Sequence, residues 1–351
     1  MDLLTHAIVG AGAGAATLPG RKMRLAAAAG AVAALLVDVD YFIGSASDPL
    51  LQIEYHRHFT HSLIFIPVGA LVATLLLWPL LGRALGFRSL YLATLAGYAT
   101  HGFIDSCTSY GVHLFWPFSE ERVALDLVSV VDPLFTLLIA VPVAWTLWHR
   151  RRTALWYALA GGVLYLLFAA WQQQRAIDLT LALAEERNHE PTDILARPSF
   201  ANTLLWRALY RNGDRWYVDA VRPGILVPSQ SHSGGSVPAF QRNQHLPQVP
   251  EDSRIGRDID RLDHLSDGYL VWVSSDSADL AWVSSDSSSD SGGAGRLGDI
   301  RFSAVPDGLR PMWGIEFDPD QSEEPPSWFI DRTLTPAMRE RFIEQLLGRG
   351  D

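Results

Sequence analysis

The stretch His56-Arg-His-Phe-Thr-His61-Ser-Leu-Ile-Phe-Ile-Pro-Val-Gly-Ala70-Leu-Val-Ala-Thr-Leu-Leu-Leu-Trp-Pro-Leu-Leu81 joins three histidines to an apolar run without a single charge. At 1.5 Å per helical residue, residues 62–81 cover the ~30 Å of bilayer hydrocarbon. The stretch therefore predicts a membrane helix entered through a histidine cluster. Working outward, further apolar stretches at 3–18, 25–37, 90–104, 128–148 and 153–171 bring the expected spans to about six. The first two are short, and a re-entrant or interfacial first segment is the alternative reading. Gly10-Ala-Gly12-Ala-Gly14 has the small-xxx-small spacing that lets one helix backbone approach another.

Charge divides the chain of 351 residues. Residues 1–175 carry 11 Lys+Arg against 10 Asp+Glu, so the other 176 hold 17 against 28, a net −11 within the total of −10. So acidic a tail is unsuited to a nucleic-acid backbone, which excludes DNA and RNA as partners. Cys107 is the sole cysteine, so neither a disulfide framework nor a thiolate zinc knuckle is available. The N-terminus lacks a basic leader region, which predicts a retained membrane segment rather than a cleaved signal peptide.

Basic loop residues orient the spans. Arg21, Lys22, Arg24, Arg83, Arg88, Arg150, Arg151 and Arg152 collect on one side, expected to be cytoplasmic; the loops of the other side contain only Arg57 and Arg122. By that parity the tail, from Arg175 onward, lies outside. The fold expected is an α-helical polytopic membrane bundle (1–175), an amphipathic helix and linker (176–198), and a small mostly-β extracytoplasmic domain (199–351). In that domain 204–210 and 215–221 flank Asn212-Gly213, a hairpin signal. Residues 269–273, 279–283, 299–303 and 312–317 are further strand candidates. The Ser/Asp/Gly/Pro-rich segments 229–264 and 284–295 read as mobile. Trp272-Val-Ser-Ser-Asp-Ser277 recurs at 282–287 as a local duplication, and a final helix is signalled by Thr335, Pro336 and Gly348.

The membrane half then shows its chemistry. His6, His56, His58, His61, His101 and His113 all fall on the outward side, where Asp38, Asp40, Asp105, Asp126 and Asp132 join them at span ends. Ionisable groups near hydrocarbon cost several kcal/mol and persist where they pair with each other or with an ion. A single buried histidine is ordinary packing; convergence from every outward span boundary is not. His101 and Asp105, four apart, leave one helix face and can bind one ion. Asp38-Val-Asp40 puts two carboxylates at a helix end, and His61 sits on the first turn of its span. We take His6, Asp38, Asp40, His56, His61, His101 and Asp105 as metal-ligand candidates. Imidazole and carboxylate without thiolate suit a divalent transition metal, zinc first, with manganese or iron as alternatives, in one or two ions. Asp126 or Asp132 could act as general base, and Arg57 and Arg122 could hold an anionic head group. For Asp132, which precedes Pro133, a helix N-cap is the competing reading. Threonines precede three of the histidines, at Thr5, Thr60 and Thr100, in position to orient them.

Met1-Asp-Leu-Leu-Thr-His6, Asp38-Val-Asp40, His56-Arg-His-Phe-Thr-His61-Ser-Leu63, His101-Gly-Phe-Ile-Asp105 and Gly111-Val-His-Leu-Phe-Trp-Pro117 together resemble the YbcI/YdjM-type family of inner-membrane metal-dependent hydrolases, also described as LexA-binding. The resemblance covers about residues 1–170 and, loosely, Leu205-Trp-Arg207 and Asp299-Ile-Arg301 of the tail. It implies a multi-spanning hydrolase with a metal at these His and Asp positions. His58 stands where a small residue is more usual, so no ligand role passes to it. A cytoplasmic repressor does not fit an outward site. The expectation is metal-assisted hydrolysis of a lipid or lipid-linked (phospho)ester at the outer membrane face, no protein partner being named by the sequence. A proton or metal transporter and a non-catalytic scaffold with a structural ion are the rival classes.

Overall fold

The computed structural model describes residues 1–225, 227–273 and 295–349, which divide into two compact units. The first comprises Met1–Ile43, Glu54–Gln173 and Phe200–Thr203; the second comprises Gly44–Ile53, Gln174–Ser199 and Leu204–Asp351.

The first unit is helical. Its elements are α1 (Leu3–Thr17), α2 (Met23–Leu36), α4 (Ile66–Leu85), α5 (Phe87–Ser106), α6 (Pro133–His149) and the first part of α7 (Thr153–Glu186); α3 (Leu51–Tyr55) is a short turn of helix. Helices thus stand at all six positions read as spans. Three segments, Gly20–Phe42, Leu63–Leu85 and Thr153–Glu186, are long and apolar enough to cross a membrane, whereas Leu3–Thr17 and Pro133–His149 are apolar but shorter. Among the described residues length and composition thus support three spans, and the expected count of six is not confirmed. At 15 residues, α1 reaches only ~22 Å, and α5 gives up apolarity to the polar groups of its last turns.

In α4, Gly69, Ala70 and Ala73 are buried while Leu75, Leu76 and Leu80 are exposed. Small residues inward and large apolar ones outward is the pattern of a helix whose solvent is lipid. The interior contacts are correspondingly close. A Cβ on Gly30 would overlap the carbonyl oxygen of Gly10, and one on Gly97 would overlap that of Gly30. The backbones of α1, α2 and α5 therefore touch, which draws the start of α1 and the ends of α2 and α5 together. Asp2 caps α1, accepting from the amides of Leu4 (3.0 Å) and Thr5 (3.1 Å).

The second unit carries two four-stranded antiparallel sheets, each in sequence order: β1 (Asp193–Pro198), β2 (Trp206–Asn212), β3 (Arg215–Arg222) and β4 (Gln230–Pro238), then β5 (Leu270–Val273), β6 (Gly295–Asp299), β7 (Trp313–Phe317) and β8 (Ser327–Ile330). The Asn212-Gly213 hairpin forms, with Gly213 at φ 62°. Thr335 caps α10 (Pro336–Leu347), and Gly348 ends it at φ 68°.

Two expectations fail here. The segment 229–264 is ordered: it holds β4, the short α8 (Arg242–His245) and α9 (Arg254–Leu265). Its serines and glycines pair along β3 as an edge strand, and Ile255, Ile259 and Leu262 bury one stripe of α9. The strand expected at 299–303 is placed earlier, ending at Asp299. The candidate strand 279–283, the segment 284–294, and the Trp-Val-Ser-Ser-Asp-Ser duplication from residue 274 onward lie outside the described residues. Leu50, in a stretch read as an outward loop, is fully buried in this unit's core with Ile255, Leu270 and Ile315.

Candidate metal centre

Four donor atoms converge in the first unit: one each from Asp38, His61, His101 and Asp105, all within 4.8 Å of one another. The close backbone packing explains how. His101 and Asp105 lie one turn apart on α5, and Gly102 between them lets the His61 carbonyl approach, since a Cβ there would lie 2.5 Å from it. Asp38 lies in a 3-10 turn, Val37–Phe42, that continues α2 and changes the direction of the side chains at its end. His61 ends another such turn, Phe59–His61, ahead of α4.

The separations suit an ion. His61 Nε2 and His101 Nε2 are each 3.4 Å from Asp38 Oδ1 and 3.6 Å from Asp105 Oδ2. Zinc bonds of ~2.0–2.1 Å to nitrogen and oxygen imply ~3.4 Å between neighbouring tetrahedral ligands. Moreover, His61 Nε2, His101 Nε2 and Asp105 Oδ2 are buried with no hydrogen-bond partner among the described residues. Buried polar atoms are ordinarily paired, and leaving one unpaired costs ~1–3 kcal/mol. Three such atoms facing one point, together with Asp38, could hold a metal ion.

The other edges of the ligands are held. Asp40 Oδ2 lies 3.1 Å from His61 Nδ1 and also accepts from the Arg57 amide (3.0 Å) and the Thr60 hydroxyl. His101 Nδ1 donates to the Ala34 carbonyl at 2.6 Å. In each ring the bond at Nδ1 turns Nε2 toward the centre. Tyr98, one turn before His101, donates to the Thr60 carbonyl at 2.9 Å, so the loop that carries His61 is tied to the helix that carries His101. Burial disfavours a proton on His61, but Asp105, Asp38 and Asp40 outweigh it and hold the imidazole up to about 10.

The other candidates fall into distinct positions. His6 is buried on α1 and stacks on His101 at 3.6 Å; its Nε2 lies 3.0 Å from Asp105 Oδ1, the oxygen that also meets the Met1 amino group. It supports Asp105 and stands outside the group of four. Asp40 and His56 form a second grouping with Asp38, but His56 Nδ1 already lies 3.2 Å from Asp40 Oδ1, and the other Asp40 oxygen is occupied as described. Arg57, expected as a head-group clamp, is instead buried, with Nε 3.2 Å from Asp105 Oδ2 without hydrogen-bond alignment. Its backbone takes φ 65°, and its carbonyl accepts from the His113 amide at 3.1 Å. Arg122 Nε donates to His113 Nε2 at 3.2 Å, next to the His58 ring, which lies 4.6 Å from that of His113.

Neither proposed base joins the cluster. Asp132 caps α6, accepting from the Phe135 amide (3.0 Å) and from the Tyr165 hydroxyl (2.7 Å). Asp126 is buried in left-handed backbone at φ 52°, outside both groupings. Of the threonines, Thr60 alone touches the histidine that follows it (3.0 Å); Thr5 bonds Asp2 and Thr100 bonds the Gly97 carbonyl. Sequence reasoning missed Tyr98 and the Ala34 carbonyl. A tyrosine one turn from a ligand on its helix was a legible signal; a backbone carbonyl carries none.

The profile of the family described as YdjM inner membrane protein matches residues 1–176, the stretch that contains every ligand candidate. The chain is also 27% identical, over 247 residues, to the uncharacterized protein YfhP of Bacillus subtilis (strain 168), covering 65% of this chain and 70% of that one. No solved structure matches.

Proposed function

Because the chain belongs to the YdjM inner membrane protein family and its matched part gathers these donors, we propose that it is a membrane-bound, metal-dependent hydrolase of a lipid or lipid-linked ester, foremost a phosphoester. The observation that carries the reading is the convergence of three unpartnered buried donor atoms with Asp38. Asp38, His61, His101 and Asp105 would hold one divalent transition metal, zinc by donor type and spacing. When bound, the ion would lower the pKa of a water toward neutrality and polarise the oxygen under attack.

The chain's own residues do the rest. Asp40 and the Ala34 carbonyl fix the two imidazoles so that their lone pairs face the centre. Arg57 keeps a positive charge against Asp105, which favours its ionised form. Asp38 has 22% of its side chain exposed while the other three are sealed, so water and substrate reach the centre from its side. Exposed Tyr41 and Phe42 stand three and four residues after it, an apolar rim suited to acyl or prenyl chains. The scarcity of basic residues in the loops of this side supports an extracytoplasmic site.

The test is elemental analysis of the purified chain, combined with hydrolysis of phospholipid and polyprenyl phosphate substrates with and without chelator. About one zinc per chain and chelator-sensitive turnover are expected. A metal-free protein, or a loaded one that cleaves no ester, overturns the reading.

A further inference from the structure

Between β3 and β4, Ile225 and Val227 present apolar side chains to the outside, 50% and 52% exposed. Gly224 lies close to the residues after it: a Cβ there would overlap the Val227 carbonyl, and its amide donates to Ser229 Oγ at 3.0 Å. Beside it ends α10, since Arg222 Nε donates to the Leu346 carbonyl (2.8 Å) and Gln230 Nε2 to the Gly348 carbonyl (3.2 Å). There Ile343 and Leu347, four apart on α10, are 47% and 52% exposed. Four large apolar side chains thus crown one end of a domain whose charge is strongly acidic, and such a patch marks an interaction surface.

The position of the turn names the partner. Gly224 accepts a hydrogen bond from the Arg175 guanidinium of α7. In α7 the apolar run ends at Trp171, and Gln172-Gln-Gln-Arg175 follows, the polar step at which a spanning helix leaves hydrocarbon. Arginine and tryptophan are the residues that settle at that interface. Arg175 thus anchors the turn to the boundary layer of the same helix.

We propose that Ile225, Val227, Ile343 and Leu347 form a lipid-contact surface, seated in the interfacial layer of the bilayer that α7 crosses. The apolar tip adds a second attachment of the β unit to the membrane, independent of the metal centre and of any hydrolase activity.

The test uses the full chain in phospholipid nanodiscs, in a Cys107→Ser background, with an environment-sensitive fluorophore at Ile225→Cys and, separately, at Val227→Cys. Asp214→Cys, at the opposite end of β3, is the control, ~26 Å away along the strand. Labels at 225 and 227 should emit at shorter wavelength than the control. They should also be quenched about threefold more by nitroxide lipids and correspondingly less by aqueous iodide. Iodide quenching equal to the control at both positions, without nitroxide quenching, overturns the proposal. So does shielding that grows with the number of chains per disc and ignores the nitroxide, which would assign the patch to a second copy.

Discussion

The two units bury charge in opposite ways. In the β unit, Asp299 accepts from Arg301 at 2.8–3.0 Å, Arg187 pairs with both oxygens of Asp219, and Arg207 spends its guanidinium on the carbonyls of Ile300, Pro306 and Gly308. Unpartnered buried atoms there, such as Nε1 of Trp216 and of Trp313, belong to separate core clusters. In the helical unit three of them meet: His61 Nε2, His101 Nε2 and Asp105 Oδ2 face one another and Asp38. Paired charges of the first kind hold structure, whereas four His and Asp donor atoms within 4.8 Å of one another could hold a metal ion.

That contrast can be broken by exchange of losses. His101→Ala should empty the helical unit of its ion and lower ester turnover by on the order of 10³-fold, with helical circular dichroism retained. If metal analysis finds the ion still bound, the centre is elsewhere. Asp299→Ala should do the reverse: Arg301 loses its buried partner and keeps only the exposed Asp267 and the Leu265 carbonyl, which destabilises the β unit by up to about 3 kcal/mol in denaturant melts, while ion content stays at its wild-type value. Loss of the ion in that variant would erase the distinction between the units.

Two smaller effects sharpen it. Asp40→Asn removes the carboxylate behind His61 and should weaken zinc affinity by about 10–100-fold, measured by chelator competition. An unchanged affinity would show that Asp40 only supports the loop. Finally, Asp105, Asp38 and Asp40 around His61 outweigh its burial and favour the protonated imidazole. Zinc binding at pH 7.5 should therefore release about one proton, read by calorimetry in buffers of different ionisation enthalpy. His61→Gln should abolish the release.

Much of this was legible because membrane and metal both impose strong local rules. Twenty apolar residues after His61 can be little else than a membrane helix, and His101-x3-Asp105 shares a face by helical period alone. Asp132 before Pro133 carried a cap signal as strong as any catalytic one, and the cap is what forms. Arg57 misled, because a loop arginine in sequence is by default exposed, whereas here left-handed backbone turns it inward onto Asp105. The helix α9 went unread since its stripe, Ile255, Ile259 and Leu262, is thin within a polar segment.

Residue order alone established a helical membrane part, an acidic β-rich tail and a pool of His and Asp ligand candidates, since hydropathy period and charge are properties of neighbours along the chain. Which of seven candidates face a common point, and which merely stand behind them, was settled only when α1, α2 and α5 touched through Gly10, Gly30 and Gly97. A coordination sphere is a matter of a few tenths of an ångström between atoms far apart in sequence, and only backbone packing sets those distances.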